Sequence, residues 1–66
     1  MNDSFKKLYA NTELKLKTYR RQMEEIRHNA LNLYYKPDNT KEQDDKLAII
    51  VDNATSIIND IDSFIN

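Results

Sequence analysis

The sequence contains no cysteine, no glycine and no tryptophan, and only one proline. Without cysteine there are no disulfides, and the case for a structural metal is weak, so oligomerisation is the support left to so small a fold. The absence of cysteine does not identify a redox compartment, because helical proteins in either setting do without it. Without glycine no phosphate-cradling loop can be built. The same absence suits long helices, since glycine costs about 1 kcal/mol in a helix interior. Long apolar runs are missing too. The longest is Leu47-Ala48-Ile49-Ile50-Val51, far short of the roughly 20 residues a membrane-spanning helix needs. The start, Met1-Asn2-Asp3-Ser4, has neither a basic nor an apolar signal region. A soluble, cytoplasmic protein without a membrane segment is expected, and its two Asn-x-Ser/Thr sequons then carry little weight.

What is present is charge, at 32% of 66 residues. A lone chain of this length buries only about 60% of the surface its unfolded form exposes. One domain spanning residues 1–66 is expected, and Pro37 divides it. Proline disfavours helical geometry at Lys36 and cannot continue a preceding helix. Pro37-Asp38-Asn39-Thr40 is a run of turn formers. Thr40 followed three residues later by Gln43 is a capping box that starts a second helix at Lys41. Glu42, Asp44 and Asp45 fall in its first turns, where the helix dipole favours negative charge.

Upstream, Leu16, Tyr19, Met23, Ile26, Ala30 and Leu33 recur in steps of three and four, a heptad seam with Leu16 at a and Tyr19 at d. Phe5 and Leu8 extend the apolar pattern toward the start. The longer step from Phe5 to Leu16 reads as a stutter or a weaker break near Asn11-Thr12. Downstream, Leu47, Ile50, Ala54, Ile57, Ile61 and Phe64 form an a/d seam, widened through e by Val51, Ile58 and Ile65. A face this broad belongs to a helix with more than one neighbour. The expected fold is therefore all-α: a two-helix antiparallel hairpin with helix 1 over 3–35, a turn over 36–40 and helix 2 over 41–65. Two such hairpins would close into a homodimeric four-helix bundle.

The net charge of −1 hides an asymmetry. Residues 1–37 hold eight bases against four acids, for +4; residues 38–66 hold two bases against seven acids, for −5. Mutual attraction of the helices, within a chain or across a dimer, is the simplest use of this division. The alternative is a basic surface on helix 1 for nucleic acid. Lys17, Arg20, Arg21 and Arg27 are its candidate residues, with Tyr34 continuing the Arg20–Arg27 line as a stacking platform. Glu13, Glu24 and Glu25 interrupt that surface.

Catalytic chemistry finds little support. His28 is the sole histidine, at an outward f position, and reads as exposed surface. Glu24-Glu25 and Asp44-Asp45 are adjacent pairs whose side chains diverge by about 100° on a helix, whereas acid–base work needs two carboxylates aimed at one point. The stretch from Asp38 faintly follows a calcium loop, but Gln43 stands where that loop needs glycine and Ile49 where it needs glutamate. No enzyme activity, cofactor or metal is expected. Leu31, Tyr35 and Ile49 lie off the seams at b, f and c positions near the turn. With Tyr34 they form a candidate partner-binding patch, or else cap the end of the bundle. Leu14, at f, is a smaller anomaly.

In outline the pattern is similar to the dimeric hairpins of the plasmid repressor-of-primer type, which clamp paired RNA loops with their first helix. It also resembles the short hairpin co-chaperones and needle subunits of type III secretion, the latter through Lys36-Pro37-Asp38-Asn39 and Ile58-Asn59-Asp60-Ile61-Asp62. No functional residue is carried over from either. The function expected is a non-enzymatic protein–protein interaction module, working as adaptor, inhibitor or co-chaperone on another protein. A small nucleic-acid-binding regulator is the alternative.

Overall fold

The turn that divides the chain is fixed by reciprocal hydrogen bonds. In the computed structural model, which describes the backbone of residues 3–65 and the side chains of residues 11–65, the Gln43 amide N–H donates to Thr40 Oγ1 at 3.1 Å. The Thr40 N–H donates to Gln43 Oε1 at 2.9 Å. Two donors that the first turn of a helix would otherwise leave unmet are thus satisfied. Helix α2 starts where this box predicts and runs Lys41–Ile65. Helix α1 runs Asp3–Tyr34. It ends one residue before the expected limit because Tyr35 N still reaches Leu31 O, while Lys36 N turns to Leu33 O and tightens the last turn. The break considered at Asn11-Thr12 does not occur, and α1 is continuous through it. The readings of Phe5 and Leu8 lie outside the described side chains.

One residue in the turn ties both helix ends together. Asn39 Nδ2 donates to the terminal carbonyls of α1, Leu33 O at 2.5 Å and Tyr34 O at 3.4 Å, and to Asp44 Oδ1 of α2 at 3.0 Å. A side-chain amide has two N–H donors, so these three acceptors share them. The turn formers here act as caps for both helices, not as a loose connector.

The helices pack antiparallel into a rod 56 Å long and 15 by 14 Å across. Their contact is narrower than the apolar pattern. Among the described residues only Ala30, Ala54, Ile58 and Ile61 are buried. Leu16, Met23, Leu47, Val51 and Ile65 are half-buried around them. In heptad terms the inner seam uses the a and e positions of both helices. Arg20 and Arg27, at e on α1, are consequently half-buried against α2. The d positions that the 3-4 spacing assigns to a seam are left outside it. This differs from the expected a/d contact, and the reason is width. Residues at a, d and e cover an arc wider than one neighbouring helix can shield.

Candidate interaction site

The excluded d residues form one surface. Tyr19, Ile26 and Leu33 on α1 and Ile50, Ile57 and Phe64 on α2 are each between 42% and 56% exposed. In an antiparallel pair joined through a and e, helical geometry turns both sets of d positions toward the same side. Two grooves mark the ends of that side. Thr12 and Leu16 of α1 meet Ile57, Ile61 and Phe64 of α2 in one of them. Leu33 meets Gln43 and Leu47 in the other, at the turn. Six large side chains about half exposed leave roughly 500–600 Å² of apolar surface in one stripe, at the upper end of the roughly 300–600 Å² found for the largest patch on a monomer. The sequence carried this signal in the breadth of the apolar face, but not the division between inner and outer positions.

The second candidate lies on the opposite side, near the turn. Leu31, Tyr34 and Tyr35 line a groove with Ala48, Val51 and Asp52. The two tyrosine rings meet edge to face, with centroids 5.6 Å apart and planes at 87°. Tyr35 is 77% exposed, so its ring is held by one neighbour and otherwise open. Three of the four partner-patch residues are therefore brought together. Ile49 is exposed and does not line this groove, since its c position points away from the inner seam. Leu14 is likewise exposed.

The basic residues of α1 are partly engaged inside the hairpin. Arg20 Nε donates to Asp62 Oδ1 at 2.6 Å and Nη2 to Oδ2 at 3.2 Å, a two-pronged clamp onto α2, while Nη1 bonds Glu24. This hydrogen bonding from Arg20 holds the Asp62 carboxyl below the usual carboxylate range, against a smaller opposing effect of desolvation. The reciprocal bonds to Asp62 and then Glu24 raise the Arg20 guanidinium further above its usual value. Arg27 Nη1 reaches Thr55 Oγ1 at 3.4 Å, and that hydroxyl donates to Val51 O at 2.9 Å. Lys17 pairs with Glu13 at 3.5 Å along the helix. Arg21 lies outward in a shallow groove with Glu24, Glu25, His28 and Asn29. Charge attraction between the helices is thus realised within the chain at Arg20–Asp62; of the four bases, Arg20 and Arg27 bond residues of α2 while Lys17 and Arg21 are exposed.

His28 is exposed. No group of three or more His, Cys, Asp or Glu that could hold a metal occurs among the described residues. No helix of the described chain is long and apolar enough to cross a membrane. No family model, curated protein or solved structure matches the chain.

Proposed function

We propose that this chain is a non-enzymatic, cytoplasmic interaction module that works as a dimer of hairpins closed into a four-helix bundle. Acting as an adaptor, inhibitor or co-chaperone, it engages a second protein through the tyrosine groove. The observation that carries this reading is the apolar stripe of Tyr19, Ile26, Leu33, Ile50, Ile57 and Phe64. Covering it on both copies would remove on the order of 1,000–1,200 Å² of apolar surface from water, close to the total of about 1,200 Å² at which standard protein interfaces begin. A second hairpin has the length and the 3-4 spacing to provide that cover. The groove of Leu31, Tyr34 and Tyr35 then remains open on the outside, with Ile49 near it, as the surface for a target.

Sedimentation equilibrium at micromolar concentration tests the dimer. The expected mass is twice the 7.8 kDa of the chain, with a melting temperature that rises with concentration. A monomer whose cooperative melt is independent of concentration would end this reading. For the groove, Tyr35→Ala combined with Leu31→Ser is expected to leave the melting temperature within a few degrees while abolishing binding to the target. A stability loss of about 2–5 kcal/mol would instead make these side chains part of the core.

A further inference from the structure

A stripe that closes against a second copy can do so in two ways, and they differ in which helices meet. With the twofold axis along the rod, α1 of each hairpin lies on α2 of the other and both turns share one end. With the axis across the rod, α1 lies on α1, α2 lies on α2, and the turns are at opposite ends. Every contacting pair runs antiparallel in both, so helix dipoles do not choose between them. Charge does. The segment containing α1 carries +4 and that containing α2 carries −5. Packed helices lie about 8–10 Å apart, comparable with the screening length of about 8 Å at physiological salt, so helix-level charge is still felt across the contact.

Resting on the dimer reading above, we infer that the two hairpins pair with their turns at the same end, α1 of one chain on α2 of the other. The rims of the stripe carry little charge and leave the choice to this helix-level difference. The g positions flanking it are Lys15, Gln22 and Asn29 on α1 and Lys46, Asn53 and Asp60 on α2. Only three of the six are charged, and Lys15 and Asp60 fall at the same, open end of the hairpin. The crosswise arrangement instead sets the basic helix against its own copy and the acidic helix against its own. The shared-end arrangement also fixes where targets can bind. The tyrosine grooves face away from the stripe and lie near the turn, so both come to one end of the bundle, on opposite outer faces. The assembled dimer is then a polar, two-sided clip with one binding end.

The test uses the absence of native cysteine. Asp38→Cys places one thiol in the exposed turn, and the variant's mass is measured alongside its cross-linking and its nitroxide–nitroxide distance. With turns together, the two thiols lie at about the helix spacing of 8–10 Å and a short bismaleimide joins them. With turns apart, each lies about twelve residues from a twofold at Ile26, putting the thiols roughly 36 Å from one another and out of reach. A dimer that cross-links, with a short label distance, supports the inference. A dimer that does not cross-link and gives a distance near 36 Å overturns it and leaves the dimer reading intact. A monomer overturns both.

Discussion

Ile57→Ala separates what the hairpin buries from what, in the proposed dimer, a second copy would bury. The substitution removes three carbons, worth roughly 2.4 kcal/mol if the side chain were wholly shielded from water, at about 0.8 kcal/mol each. Ile57 is 42% exposed in the hairpin, so by the same scale about 1.4 kcal/mol is lost within the chain and about 1 kcal/mol only on association. Each dimer loses the second part twice. About 2 kcal/mol is roughly a thirty-fold weaker dissociation constant. Sedimentation equilibrium across a concentration series reads this directly. Leu14→Ala, at an exposed position off the stripe, serves as the control and is expected to leave association unchanged. If Ile57→Ala leaves the dissociation constant within a factor of two of the parent, the stripe is not the contact and the reasoning fails.

Thr40→Ala removes the acceptor for the Gln43 amide and is expected to cost about 1 kcal/mol, within the range of about 0.5–2 for such caps. Urea unfolding measures it, and an unchanged midpoint would show that the box does not hold the start of α2. Asp62→Asn tests the cross-helix clamp against pH. The Asp62 carboxyl is held below its unfolded value, so its contribution is present above about pH 4 and is lost as pH falls through the lowered folded value. The stability advantage of the parent over the variant should therefore shrink as acid protonates Asp62, and a gap that stays the same from neutral pH into acid would contradict the ion pair. Arg20→Gln with Arg27→Gln should lower hairpin stability, because both side chains bond α2. If the parent instead binds RNA or DNA at about 50 mM salt, and the double change shrinks the salt slope by about two, the nucleic-acid alternative gains what the geometry does not give it.

The turn was the most legible part of the sequence because its signals are local. A proline, a run of turn formers and a Thr-x-x-Gln box act within a few residues, and each has one dominant structural meaning. The start of α2 followed directly. The role of Asn39 was not legible. Its composition marks a turn, but reaching two carbonyls of α1 and a carboxylate of α2 depends on how the chain closes. Asp62 was equally opaque, since nothing near it in sequence names Arg20 as its partner forty-two residues away. Charge division by segment announced that the helices attract, without saying through which pair.

The heptad pattern was legible and ambiguous for the same reason. Spacing reports which residues are apolar around a helix, but it does not say which neighbour shields each of them. On α1 the inward e positions are Arg20 and Arg27, whose stems can lie along an apolar seam while their heads bond Asp62 and Thr55. On α2 the e positions are Val51, Ile58 and Ile65, which fill the same seam with hydrocarbon. The hairpin therefore closes through a and e, matching long basic side chains on one helix to an aliphatic ridge on the other. That choice frees Tyr19, Ile26 and Leu33 together with Ile50, Ile57 and Phe64. A face that broad was expected to need more than one neighbour. The hairpin supplies one, and the apolar stripe it leaves is the surface that the proposed dimer would cover.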